Sequence, residues 1–268
     1  MLDLPPLYVL VFSPLAALRS ALTAAFHNST HAARHTTLRH RNRRHPAALL
    51  TACLVLTALT RAADPQPPAA AGWISLFNGK DLTGWKANTD AAAFTVVDGA
   101  IRAQATHPRN RSHLFYTGSG ESHGALFKNF ELEVEARGEP QSNSGIFFHS
   151  DMETRDAVLH LKNGYEVQLN SSPREKEKTG SLYAIVGVAE SVVDELQWFT
   201  VRVRVQDKRI QVWVNERQTV DYLEPENAPR SPERSGRLLK PQGGAIALQA
   251  HDSRSVFHFK SVRIRRIP

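Results

Sequence analysis

Residues 72–268 of this 268-residue chain predict an all-β fold, an antiparallel sandwich of two sheets in one domain. Three observations carry that expectation. Apolar and polar residues alternate with period two in segment after segment, as in strands with one buried face. Turn-forming pairs punctuate those segments at Asn78-Gly79, Asp98-Gly99 and Asp207-Lys208,. No stretch repeats its apolar residues at helical spacing. About ten short strands joined in this way bury their apolar faces best as two packed antiparallel sheets.

In chain order, residues 72–77 read as a short strand closed by the Asn78-Gly79 turn, and residues 81–85 as a packed loop. Residues 94–97 and 100–104 form a hairpin about Asp98-Gly99. A short strand follows at 114–116, then a cleanly alternating one at 130–137, where Leu132, Val134 and Ala136 face away from Glu131, Glu133 and Glu135. Residues 143–149 and 164–170 are two further strands, separated by the loop 151–163. After the charged loop 171–178 and the segment 179–183, residues 198–206 and 209–215 pair through Asp207-Lys208. A Pro/Arg-rich loop, 224–243, leads to strand 245–251, and strands 256–260 and 262–267 close the chain.

The strands 143–149 and 164–170 hold the most informative faces. Ile146 and Phe148 point one way, Phe147 and His149 the other. Tyr165, Val167 and Leu169 share a face opposite Glu166, Gln168 and Asn170. A carboxylate, amides and an imidazole suit a polyhydroxy ligand or proton transfer better than the Lys, Arg and Thr of a plain outer surface. The strands sort in the same way. Thr200, Arg202, Arg204, Arg263 and Arg265 look like ordinary surface. Glu131, Glu133, Glu135, His149, Glu166, Gln168, Asn170, Gln249 and His251 would line a common face if their four strands shared a sheet. For each candidate a plainer reading stays open. Glu166, Gln168 and Asn170 could be a solvated strand face, His149 a hydrogen-bonded core histidine, and His251-Asp252 a turn cap. Lys178 and Tyr183 suit a rim contact or a structural role. Trp73, Trp85, Trp198 and Trp213 read as core, with at most one as a sugar-stacking platform. A carboxylate on an accessible polar face, as Glu166 is expected to be, adds little to folding.

Charge and cysteine content narrow the function. Of the formal +7, the first 63 residues hold seven arginines against Asp3 alone, which leaves 26 basic and 25 acidic residues beyond them. A near-neutral domain lacks the electrostatic footprint of a nucleic-acid binder. Cys53 is the only cysteine, so the folded part has neither disulfide nor thiolate metal site. It also lacks a Gly-x-Ser-x-Gly elbow, a phosphate-cradling loop and a His-Glu-x-x-His helix.

The first 63 residues read as an address. A basic run at 39–45, an apolar run at 46–60 and the small residues Ala62-Ala63 follow the layout of a secretory signal, ahead of a Pro/Ala linker at 64–71. The apolar run is short for a membrane span. Leu50-Thr51-Ala52-Cys53 resembles a lipobox, which keeps a lipoprotein anchored through Cys53 open. Residues 1–38 stand in front of this signal, so the expected start lies near Leu38, with a first membrane segment as the rival reading. The expected location is the periplasm or cell envelope, with membrane contact only through this N-terminal segment.

Several motifs together resemble one family. Gly72-Trp73-Ile74-Ser75-Leu76-Phe77-Asn78-Gly79-Lys80-Asp81-Leu82-Thr83-Gly84-Trp85 is similar to the opening signature of the 3-keto-disaccharide hydrolases. The runs from Asn143 to Phe148, Gly164 to Gln168, Lys178 to Tyr183 and Ala247 to His251 follow in that family's order. The chain departs from many members by carrying His149 in place of Arg and Asn170 in place of Asp. The resemblance implies a concanavalin-like jelly roll and an exported bacterial protein acting on oxidised glycosides. It further implies C2 proton abstraction, β-elimination and hydration, with Glu166, His149 and His251 as proton-transfer candidates. Glu135, Asn143, Gln168, Asn170, Lys178, Tyr183 and Gln249 are the expected substrate contacts. A divalent cation at the ketone would suit this chemistry, although no ligand spacing demonstrates one. The rival functions are a non-catalytic, lectin-like sugar-binding module and a cell-surface adhesion domain.

Overall fold

The computed structural model describes residues 72–118 and 125–268. The expected signal, the lipobox and the linker lie outside the described residues. The described residues form thirteen strands: β1 (Ile74–Ser75), β2 (Trp85–Ala87), β3 (Phe94–Val97), β4 (Ala100–Ala103), β5 (Ser112–Tyr116), β6 (Phe130–Gly138) and β7 (Asn143–Ser150). They continue with β8 (Tyr165–Asn170), β9 (Phe199–Gln206), β10 (Arg209–Val214), β11 (Arg217–Leu223), β12 (Ala245–Ala250) and β13 (Phe257–Arg266). The described helical segments are two short 3-10 turns, at Ala91–Ala93 and Pro232–Arg234. None of them is long and apolar enough to cross a membrane.

The strands form two antiparallel sheets packed as a sandwich. One runs β11-β10-β9-β6-β13-β4-β3, with β1 added along β13; the other runs β2-β5-β12-β7-β8. Alternation decides which side chains meet between them. Leu132, Val134, Val201, Val203, Ile210, Val212, Val262 and Ile264 point in from the larger sheet. Leu114, Ile146, Phe148, Tyr165, Val167, Leu169, Ile246 and Leu248 point in from the smaller one. Each such side chain contributes roughly 1.5–3 kcal/mol when fully buried. The hairpin about Asp98-Gly99 is present, with both turn residues at positive φ, 50° and 74°. Asn-Gly and Asp-Gly pairs adopt that geometry readily.

The larger sheet corrects the expected sorting of polar faces. The strand β6 sits between β9 and β13, so its glutamates lie on the outer side of this sheet, paired with the cationic strands. Glu131 meets Arg265 at 2.8 Å, Glu133 meets Arg263 at 2.8 Å, and Glu135 meets Lys260 at 3.4 Å. Of the four tryptophans only Trp85 is core, its indole N–H donating to the Leu76 carbonyl at 2.8 Å. Trp73, Trp198 and Trp213 lie on the outer face beneath guanidinium groups, among them Arg263 over Trp73 at 5.1 Å and Arg202 over Trp213 at 4.4 Å.

The other three polar strands do share the smaller sheet. On its outer side, Glu166, Gln168 and Asn170 of β8 lie beside Gly145 and Asn143 of β7, with Gln249 on β12. The loops after β4, β7, β8 and β11 fold over this face. That cover turns a solvated sheet surface into a cleft.

Candidate active site

Two connected chambers occupy the cleft. An outer one of about 290 Å³ is lined by Gln141, Asn143, Arg174, Arg254 and Ser255 among others. An inner one of about 70 Å³ is lined by Glu166, Gln168, Tyr183, Arg237 and Gln249 among others. Arg111, Asn143, Glu175 and His251 border both. Tyr183 is the one aromatic ring besides histidine lining either chamber among the described residues.

Glu166 is the best-defined group. Its side chain stands over Gly145, where an added Cβ would come within 2.6 Å of the Oε1 oxygen. The glycine is therefore a notch cut for the carboxylate. Arg237 Nη2 donates to Glu166 Oε2 at 3.0 Å, and both residues are buried, 4% and 6% exposed. Arg237 also donates to the Gly164 carbonyl at 3.3 Å and rests over the Phe147 ring at 5.5 Å. Glu166 Oε1 accepts from no donor among the described residues. One carboxylate oxygen is thus fixed and the other is open.

A second assembly stands opposite, just beyond β12. Asp252 accepts from His251 Nδ1 at 2.8 Å and from the backbone N–H groups of Arg254 and Ser255 at 2.8 and 3.1 Å. The His251 hydrogen bond, with the backbone donors behind it, holds the Asp252 carboxyl far below the usual carboxylate range. With its Nδ1 proton directed at Asp252, His251 presents Nε2 as an acceptor, and Arg111 Nη2 meets it at 2.9 Å. The chain Asp252–His251–Arg111 aims a guanidinium into the cleft.

The amides complete the floor. Gln168 donates to Asn143 Oδ1 at 3.0 Å. Gln249 donates to His113 Nε2 at 3.2 Å, while its own Oε1 and His113 Nδ1 are buried without partners. An unpartnered buried amide oxygen in a binding cleft is a place for a ligand hydroxyl or an ordered water. His160, held by Asp156 at 2.7 Å, lines the same chamber. Burial and the nearby charge of Arg111 push its pKa down to about 4, so it is neutral near pH 7.

Of the residues singled out from sequence, Asn143, Glu166, Gln168, Tyr183, Gln249 and His251 converge on the cleft. Four do not. Glu135 belongs to the other sheet. His149 sits in a β-bulge, because Phe148 and His149 together oppose Ile246 between the pairs Phe147–Ala247 and Ser150–Ala245,. Its φ of 52° turns the ring out of the alternation, where Nδ1 accepts from Lys240 N–H at 3.0 Å and Nε2 donates to the Lys128 carbonyl at 2.9 Å. Burial lowers its proton affinity. Asn170 binds the Glu175 and Glu177 carbonyls and the Ser172 N–H. Lys178 donates to the Ser172 and Glu175 carbonyls. These two shape the loop after β8 rather than line the cleft.

The missed lining residues, among them Arg111, Arg155, His160, Arg234, Arg237 and Asp252, come from loops, where periodicity carries no signal. Among the described residues no three His, Cys, Asp or Glu side chains converge as a metal-binding set. The cationic groups placed in the cleft are guanidinium.

A family described as the 3-keto-alpha-glucoside-1,2-lyase-like domain matches residues 72–265. Among solved structures, a protein from Parabacteroides distasonis ATCC 8503, provisionally named a glycosyl hydrolase, is 22% identical with a TM-score of 0.60. That alignment covers 74% of this chain and 94% of that one. A second structure so named from the same organism is 20% identical with a TM-score of 0.53, covering 73% and 99%. At such identities the likeness establishes the fold. No curated protein matches the chain.

Proposed function

Because this chain belongs to the 3-keto-alpha-glucoside-1,2-lyase-like family, a carbohydrate-active one, we propose that its cleft cleaves 3-keto glycosides by proton abstraction at C2. The observation that carries this reading is Glu166, a buried carboxylate with one oxygen pinned by Arg237 and the other open over Gly145. A general base must be held in place yet keep a free lone pair.

The chemistry follows from the ketone. Oxidation at C3 makes the C2 proton acidic, since its removal gives an enolate. Glu166 Oε1 takes that proton. The Arg111 guanidinium, positioned by His251 and Asp252, stabilises the negative charge that develops on the C3 oxygen. Collapse of the enolate forms the C1–C2 double bond, regenerates the ketone and expels the C1 substituent. Tyr183, whose phenol burial keeps protonated, protonates the leaving oxygen. Glu166 releases the C2 proton to solvent, and water adds across the C1–C2 double bond, its hydroxyl to C1 and a solvent proton to C2, while its own proton restores Tyr183; the sum is hydrolysis. Gln168, Asn143 and the unpartnered Gln249 oxygen hold substrate hydroxyls. No step is routed through a metal, because the donor set does not fit one.

The alternative of a non-catalytic sugar-binding module would favour a shallow aromatic strip over a deep, charged chamber. Residues 1–63 are proposed as the export signal, with the globular part from residue 72 meeting its substrate outside the cytoplasm. N-terminal sequencing of the exported protein tests that part.

The test of function is release of a chromogenic aglycone from a 3-keto glucoside and from the same glucoside left unoxidised. Release from the oxidised compound alone is expected. Binding of either compound without release would make the protein a binding module, and cleavage of the unoxidised glucoside would point to an ordinary glycosidase.

A further inference from the structure

The inner chamber is strongly and locally cationic. Arg111, Arg155, Arg234 and Arg237 line it against the carboxylates Glu166 and Glu175, although the chain beyond residue 63 is close to neutral. Arg237 is matched by Glu166, and Arg111 is directed at His251. Arg155 and Arg234 are left over. Both line this chamber, and Arg155 Nη1 donates at 2.5 Å to the carbonyl of Glu233, the residue before Arg234. The nearest carboxylate to Arg155, Asp156, is 3.9 Å from Nε and is already held by His160. Arg234 lies over the Tyr183 ring at 5.1 Å, and its Nη1 is buried with no hydrogen-bond partner. A buried guanidinium N–H without an acceptor is costly unless a ligand supplies one. The enolate chemistry needs one cation, and Arg111 supplies it.

We propose that the cleft takes an acidic glycoside, a uronoside whose carboxylate docks between Arg155 and Arg234. A planar carboxylate matches the donor fork of a guanidinium, which makes it the anion these side chains recognise best. This assignment deepens the proposed function and rests on reading the cleft as a sugar site.

Calorimetric titration of the full domain with methyl glucuronide, methyl glucoside and methyl glucoside 6-sulfate separates the possibilities. None of the three is oxidised, so binding is read independently of turnover. The glucuronide is expected to bind about tenfold or more tighter than the glucoside, the scale of one charge-assisted hydrogen-bonded contact. That preference should shrink with rising salt in the unaltered protein and collapse in the Arg155→Gln/Arg234→Gln double variant. Equal affinities, a preference for the glucoside, or no binding of the glucuronide overturns the proposal. Tighter binding of the sulfate ester overturns its carboxylate part. Cleavage of neutral 3-keto glucosides with no acid preference would leave the lyase reading intact and remove this one. Glucuronide binding without any 3-keto cleavage would do the reverse.

Discussion

At the scale of single residues, the burial of Glu166 changes what its substitution should do. On an accessible face Glu166→Gln would leave stability unchanged. Paired with a buried Arg237, it leaves a guanidinium in the interior without its counter-charge, and the expected loss is about 3 kcal/mol. A thermal melt checks this, and an unchanged melting temperature would mean that the pair is solvated in solution. Assayed well below that melting temperature, the variant should turn over a 3-keto glycoside at least ~100-fold more slowly, since general bases contribute about 10²–10⁴-fold. Gly145→Ala tests the same carboxylate from beneath. Its methyl group would meet Oε1 at 2.6 Å, so kcat should fall although the glycine itself does no chemistry. Retained kcat in Gly145→Ala would show that the open oxygen need not sit where it does.

At the scale of elements, the bulge in β7 separates structure from function. His149→Ala removes the partners of two backbone groups, Lys128 C=O and Lys240 N–H. Leaving such groups unsatisfied costs about 1–3 kcal/mol, while kcat per folded molecule should not change. A variant with normal stability and lost turnover would return His149 to the chemistry. Glu135→Gln on β6 should alter neither property measurably, because exposed ion pairs contribute about 0–1 kcal/mol. These contrasts also show what the sequence could tell. The alternation that set Tyr165, Val167 and Leu169 against Glu166, Gln168 and Asn170 was legible, because pleating gives neighbouring residues opposite faces. The bulge at His149 was not, since one extra residue breaks the period without any compositional mark. The strand β11 was missed because Arg217-Gln218 and Asp221 dilute its apolar signal at the sheet's edge. Residues 256–267 read as two strands but form β13 continuously, bent by a bulge between Phe259 and Ser261.

At the scale of the whole molecule, fold class and the sugar-suited sheet face were readable, whereas strand order and loop-borne arginines depend on contacts distant in sequence. One global consequence is a dependence of stability on pH. Burial lowers the proton affinity of His113 and His149, and takes the pKa of His160 down to about 4. The unfolded chain therefore binds these protons more readily, near the ordinary histidine value of about 6.5. Folding stability is then complete above that value and is lost as pH falls below it. Melting temperature should be flat from pH 7 to about 9 and decline between pH 6.5 and 4, with Glu177, whose carboxyl burial raises, opposing over a narrower range. A flat profile down to pH 5 would show that water reaches these rings. The central claim concerns the C2 proton, and isotope labelling tests it most directly. A 3-keto glucoside is cleaved in D₂O and the early product is analysed by mass spectrometry and NMR. Removal of the C2 proton by Glu166 predicts one deuterium at C2 in the product of the unaltered enzyme, and labelling and aglycone release both suppressed in Glu166→Gln. Aglycone released at full rate with the original hydrogen still on C2 would contradict it.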